Sequence, residues 1–271
     1  MRRLAACIGA AALGVAVLLP TAGATAVAGH GVMIPAHPGQ ILPRHDATSD
    51  SLNWSGYVDT ANGTTQKITS VASTFIVPKV GGTTPGFAAT WTGIGGYNSQ
   101  DLIQAGVEED DLSGLGASYN AWYEILPASE TPISGCTGDS ACTVRPGDKV
   151  TVTINTTGAI QQNQTWHISI VDANHWTYGI DLTYQSTYSS AEYILEAPTV
   201  GAQTVMPMLS TTLFDPDTFA INNGPPQTIA SGSPVKVTMN QREGLPSALD
   251  SDGDGFNACA YKLSCAAPAS S

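Results

Sequence analysis

The sequence predicts an all-β protein, an antiparallel β-sandwich, and three observations carry that expectation. Short runs of β-branched and aromatic residues recur along the chain, Gly, Pro, Asn and Asp punctuate the gaps, and no amphipathic helix of ordinary length interrupts them. Many short strands without helical crossovers must pair with their neighbours, and roughly 220 residues is a reasonable size for one such domain.

The chain opens Met1-Arg2-Arg3, followed by an apolar stretch from Leu4 to Pro20 and small residues to Ala28. A basic start, a hydrophobic run and an Ala-x-Ala site (Ala22-Gly23-Ala24 or Ala24-Thr25-Ala26) predict a signal peptide over residues 1–28. Pro20 and the Gly/Ala run keep the apolar stretch below the ~20 residues that a membrane span needs. Secretion to the extracellular space is therefore expected, with no membrane attachment after removal of the signal. Residues 29–51 are rich in Pro, Gly and His and have no period, so they read as a disordered leader or a short pro-segment. The folded domain is expected over 52–271.

Within that domain the predicted strands are Val71–Val77, Ala88–Ile94, Asp101–Val107, Ser118–Leu126, Lys149–Asn155, Thr165–Asp172, Ala191–Ala197, Thr211–Phe214 and Val235–Met239. No internal repeat relates them. The net charge is −12, or −14 once Arg2 and Arg3 leave, which argues against nucleic acid or an anionic membrane as partner. With only 10 Lys plus Arg, little positive self-repulsion develops when carboxylates neutralise, so the composition permits work at low pH. Four cysteines follow the signal, and their compartment favours disulfides. Three connectivities are possible; the close pairs Cys136–Cys142 and Cys259–Cys265 are preferred, and a zinc site lacks both the tight spacing and a nearby histidine.

Several chemistries are absent. There is no Gly-x-Ser-x-Gly elbow, no His-Glu-x-x-His and no P-loop. Three of the five histidines, His30, His37 and His45, fall in the leader, and His167 and His175 sit in ordinary strand and loop sequence. What remains is a set of carboxylates, amides and tryptophans inside strands. Alternation places Asn120, Trp122 and Glu124 on one face, Glu192, Ile194 and Glu196 on another, and Gln104 beside Leu102 on a third. Such faces can simply meet water on the outside of a sheet. Aromatic rings beside carboxylates, with Trp54 and Trp91 nearby in sequence, point instead to a binding cleft.

Five segments occur in order: Asn53-Trp54-Ser55-Gly56-Tyr57, Trp91-Thr92-Gly93-Ile94-Gly95-Gly96, Leu102-Ile103-Gln104-Ala105-Gly106, Ala121-Trp122-Tyr123-Glu124 and Ala191-Glu192-Tyr193-Ile194-Leu195-Glu196. Together they resemble the eqolisins, the glutamic peptidases, from about Asn53 to Pro198. The resemblance implies two bent antiparallel sheets of the concanavalin A-like, jelly-roll type, with a catalytic Gln–Glu pair on the concave face. By motif, Gln104 takes the glutamine role and Glu196 the glutamate role, while Trp54, Trp91 and Glu124 match residues around the cleft. Asn120, Trp122 and Glu192 share those faces and join the candidate cleft. A protein or peptide substrate, no cofactor, no metal and a monomeric state are expected.

The chemistry is coherent. Ionised Glu196 can deprotonate a water and, once protonated, protonate the departing amine. The Gln104 amide offers N–H to the oxyanion and a carbonyl oxygen to the water. A glutamate base of near-normal pKa would suit acidic pH. Compared with the family, Gly95 and Asn120 stand where Asp is expected, and Leu126 stands where an aromatic usually follows. Asp250-Ser251-Asp252-Gly253-Asp254-Gly255 opens like a calcium loop, but Tyr261 occupies the twelfth position, where a bidentate Glu is required. Two rival functions use the same faces: a glycoside hydrolase pairing Glu124 with Glu196, and a binding module without catalysis.

Overall fold

The computed structural model describes residues 41–46, 48–82, 84–112, 116–200, 202–239 and 243–270. The expected signal peptide and most of the leader lie outside them. In chain order the strands begin β1 (Ile41–Asp46), β2 (Thr48–Ser51), β3 (Trp54–Thr60), β4 (Ile68–Ile76), β5 (Val80–Gly81), β6 (Ala89–Gly95) and β7 (Leu102–Leu112). They continue with β8 (Gly116–Ile125), β9 (Thr131–Pro132), β10 (Lys149–Thr156), β11 (Gln164–Asp172), β12 (Trp176–Tyr184) and β13 (Ser190–Glu196). The remainder are β14 (Thr199–Val200), β15 (Ala202–Gln203), β16 (Met208–Leu209), β17 (Thr212–Ile221), β18 (Gln227–Thr228), β19 (Pro234–Met239), β20 (Gly244–Pro246) and β21 (Phe256–Ala260). Among the described residues the sole helical turn is a 3₁₀ turn at Ile229–Ser231.

Two sheets form the sandwich. The first runs β1-β2-β19-β3-β13-β6-β7-β8-β9, and the second runs β12-β11-β10-β4-β17-β21-β20. Pairing is antiparallel except where β2 runs parallel to β19. Ile41–Asp46 and Thr48–Ser51, expected as the end of an irregular leader, are strands that extend the first sheet at its edge. No hydrophobic run marks Thr48–Ser51; backbone pairing and side-chain hydroxyls hold it. Ser51 Oγ accepts the backbone N–H groups of Asn53 (3.2 Å) and Trp54 (3.0 Å), closing the turn that leads into β3.

The core lies between the sheets. Ile94, Ile103, Ala105, Val107, Tyr193 and Leu195 from the first sheet meet Val71, Phe75, Val152, Ile168, Phe214 and Phe256 from the second. Phe214 stacks on Phe256 at 4.6 Å, and Tyr57 meets the same Phe256 edge-on at 4.9 Å. Each such side chain, fully buried, stabilises the fold by roughly 1.5–3 kcal/mol. The two disulfides are Cys136–Cys142 and Cys259–Cys265, the preferred pairing.

Burial patterns separate the sheets. β10 and β11 alternate between buried and half-buried residues, which is the pattern of a sheet with one face in the core. β6 and β13 are buried at every position, so the first sheet is covered on both faces. Its outer face carries a second apolar cluster of Trp54, Val58, Ala89, Trp91, Leu102, Trp122, Leu126, Ile194 and Val237. All the predicted cleft residues lie on that face.

Candidate active site

Strand register builds the site in three rows across β13, β6, β7 and β8. One row holds Glu192, Gly93, Gln104 and Glu124; the next holds Ile194, Trp91, Gly106 and Trp122; the third holds Glu196, Ala89, Glu108 and Asn120. On the other side of β13, Trp54 pairs with Glu196. Thus the predicted parity is right on all three strands, and the eight predicted catalytic and cleft residues share one face.

Two glycines make this face possible. A Cβ on Gly56 would collide with the Tyr193 carbonyl, and one on Gly106 would strike the Thr90 carbonyl and stand 2.6 Å from Trp91 Cβ. Trp91 therefore settles over Gly106 and turns its indole toward Glu196. Its Nε1 donates to Glu196 Oε2 at 2.8 Å, and Asn53 Nδ2 donates to Glu196 Oε1 at 3.0 Å. Trp54 meets Trp91 edge-on at 5.0 Å and closes the same corner. Its Nε1, near the same carboxyl, makes no well-aligned hydrogen bond.

On the opposite diagonal, Gln104 Nε2 donates to Glu124 Oε2 at 2.6 Å. One amide N–H expected to face an oxyanion is thus engaged by Glu124; the second N–H and the amide oxygen remain. Gln104 Oε1, Glu124 Oε1, Trp54 Nε1 and Trp122 Nε1 are all buried without a hydrogen-bond partner. Buried donors and acceptors without protein partners on this face can be met by water or by a polar ligand.

Burial raises the carboxyls. Glu196 is pushed up to about 8 by desolvation, against the pull of the Trp91 and Asn53 donors and with a further push from the charge of Glu124. The near-normal pKa expected for this residue is therefore corrected: removal from water disfavours its charged form. Glu124 is raised to about 7 by desolvation, opposed by the Gln104 hydrogen bond. Register puts Glu124 three strands and four residues away from Glu196, which on a flat sheet means roughly 19 Å between Cα atoms. The charge of Glu124 is nonetheless felt at Glu196.

Glu192 sits in the same row as Gln104 with only Gly93 between them, yet its electrostatic neighbours are Asp101 and Asp59. It is wholly buried, and desolvation holds it well above the usual carboxylate range.

The departures from the family pattern have local causes. Gly95 has φ +91°, and a Cβ there would stand 2.6 Å from the Asp101 carbonyl oxygen and 3.0 Å from Asp101 Oδ2. Asp101 thus brings a carboxylate beside the position where the family carries one. Asn120 Nδ2 donates to Glu108 Oε1 at 2.8 Å and to Ser118 Oγ at 3.1 Å, so the amide serves a buried acid that another acid would repel.

Sequence reasoning missed four residues of this neighbourhood. Asn53, though inside a motif, was not expected to hold Glu196. Glu108 and Asp110 extend the Gln104 face beyond the predicted strand end at Val107, and Glu130 follows β8. All three acids are raised mainly by desolvation, to about 7, 8 and 9. The parity of Glu108 and Asp110 with Gln104 was the available signal. The folded-domain histidines stay apart from this face: His167 pairs with Asp181 at 2.7 Å and His175 with Asp172 at 3.0 Å.

The sequence pattern of the Peptidase A4 family matches residues 52–253. Scytalido-glutamic peptidase, solved with a transition state analog inhibitor, superposes with a TM-score of 0.60 at 19% identity, over 77% of this chain and 98% of that one. SCP-B, a member of the eqolisin family of peptidases in complex with the tripeptide Ala-Ile-His, gives a TM-score of 0.56 at 18% identity over the same shares. No curated protein matches the chain.

Proposed function

Because the chain belongs to the Peptidase A4 family, the eqolisins, and is a peptide hydrolase, we propose that it is a secreted, acid-acting endopeptidase whose dyad is Gln104 and Glu196. The observation supporting this reading is the pair of donors on Glu196, from Trp91 and Asn53, on the same sheet face as Gln104, whose amide oxygen has no partner.

Both donors favour the carboxylate form, and only desolvation opposes them strongly. A substrate reaches the row only when the face is open, and opening admits the water whose loss raised the pKa. Hydrated, Glu196 ionises more readily and takes a proton from the attacking water, a step worth about 10²–10⁴ in rate. Gln104 Oε1 orients that water, and its remaining N–H meets the oxyanion; one such donor contributes about 10²–10³. Glu196 then returns the proton to the departing amine. Glu124 fixes the Gln104 amide in the orientation this requires. Trp54 and Trp122 offer indole N–H groups to a peptide backbone lying across the face.

Digestion of casein at about pH 4, resistant to pepstatin and to chelators, is expected in the wild type and absent in Glu196→Gln and Gln104→Ala. Retained digestion in both variants overturns the dyad. Family membership leaves the glycoside hydrolase and binding-module readings without support.

A further inference from the structure

The acidic loop ahead of β21 is folded around one of its own carboxylates. Asp250 Oδ1 accepts the backbone N–H groups of Gly253 (2.9 Å), Asp254 (3.2 Å) and Gly255 (3.2 Å). That arrangement turns Asp250 Oδ2 inward, where it is buried and takes no hydrogen bond; Asp254 Oδ1 is in the same condition. One carboxylate oxygen each from Asp215, Asp250 and Asp254 lies within 4.8 Å of the other two. Asp215 comes from β17, far away in sequence, where the strand register is broken by a bulge.

Asp217, two residues further along β17, supplies an independent pointer. It is 0% exposed, its Oδ1 accepts from the Ser73 hydroxyl at 2.5 Å, and its Oδ2 has no partner. The carboxylates whose charge bears on it are those of Asp215, Asp254 and Asp250, and its backbone N–H donates to the Asp254 carbonyl at 2.8 Å, so it lies next to that cluster. Gly255 leaves the space: a Cβ there would collide with Asp250 Oδ2 and stand 3.0 Å from Asp215 Cγ.

We propose that Asp215, Asp250 and Asp254 bind a calcium ion, with Asp217 behind them, and that the ion clamps the loop to β17. Hard oxygen donors suit Ca²⁺, which takes about six to eight oxygens in a flexible geometry, and three carboxylates gathered by the fold supply part of such a set. Magnesium, at about 2.0–2.1 Å, demands a tighter cage. The sequence lacks the Glu that ends a calcium loop and carries Tyr261 there instead. The fold replaces it with Asp215 from a neighbouring strand. The clamp lies in the second sheet, apart from the Gln104–Glu196 face, and stands or falls independently of the peptidase reading.

The test uses the full chain, stripped with EDTA, at about pH 7. Calcium titrated to about 100 times its dissociation constant is expected to raise the melting temperature by about 5–10 °C. Terbium luminescence should report one site per chain, displaced by calcium. Asp254→Asn and Asp250→Asn, the latter keeping the oxygen that accepts the loop N–H groups, should lose the calcium response while folding. No calcium-dependent shift together with no stoichiometric terbium binding in the wild type overturns the proposal. An undiminished shift in both variants, or an equal response to magnesium, also overturns it.

Discussion

Replacing Trp91 with Phe removes the Nε1–H that donates to Glu196 Oε2 at 2.8 Å and leaves most of the ring in place over Gly106. A hydrogen bond to a charged group contributes about 1.5–3 kcal/mol, and here it favours only the ionised form. Glu196 is wholly buried before the face opens, and hydration on opening takes that figure toward its lower end. At about 1.4 kcal/mol per pH unit, losing the bond raises the Glu196 pKa by about one to two units. If Glu196 must be ionised to act, the acid limb of the kcat profile moves to higher pH by the same amount, because that limb reports the substrate complex, in which the opened face has hydrated Glu196. The assay is hydrolysis of one fluorogenic peptide from about pH 2 to 7 by both proteins. A limb that stays in place, or moves to lower pH, refutes the reasoning that Trp91 acts by stabilising a Glu196 carboxylate.

Two further outcomes follow from the same geometry. Glu196, Glu124, Glu108, Asp110 and Glu130 all have folded-state pKa values raised above the unfolded range, to between about 7 and 9. Between the unfolded pKa near 4 and those values the folded state holds more protons, so this contribution is complete at low pH and is lost as pH rises through about 7 to 9. The melting temperature should therefore fall steadily from about pH 4 to 9, and a rise over that range contradicts it. Gly106→Ala drives a methyl against the Thr90 carbonyl and Trp91, at a cost of about 1–3 kcal/mol by thermal denaturation. Activity should fall further than stability, since Trp91 is displaced from Glu196.

The strands whose sequences alternate were the ones legible in advance. β10 and β11 read directly because one face is core and the other meets water. β7 was cut short at Val107, because Glu108-Glu109-Asp110-Asp111 looks like a solvated turn, yet Glu108 and Glu109 are fully buried. β3 escaped the strand list despite its recognisable motif: Gly56 interrupts the pattern, and only the close approach of Tyr193 explains it. For the site, parity showed that Gln104, Glu124, Glu192 and Glu196 occupy polar positions but could not say that their face is covered. Burial is a property of the assembled sheets, and it moves Glu196 far from the pKa its residue type suggests. Nor could parity separate Glu192 from Glu196, which lie on the same face of the same strand. Their hydrogen-bond partners do that: Trp91 and Asn53 converge on Glu196 alone.

That distinction also gives the most direct test of the dyad. Glu196→Gln and Glu192→Gln are each close in shape to the protonated acid, so both should fold and melt near the wild-type temperature at about pH 4. Measured as kcat/KM on one peptide at that pH, Glu196→Gln should lose at least about 10³-fold, as expected when a general base is removed along with its return of the proton. Glu192→Gln, replacing a buried acid held neutral and facing Asp101 and Asp59, should stay within about tenfold of wild type. Activity lost in Glu192→Gln and kept in Glu196→Gln would contradict the account and move the glutamate of the dyad to the row of Gln104.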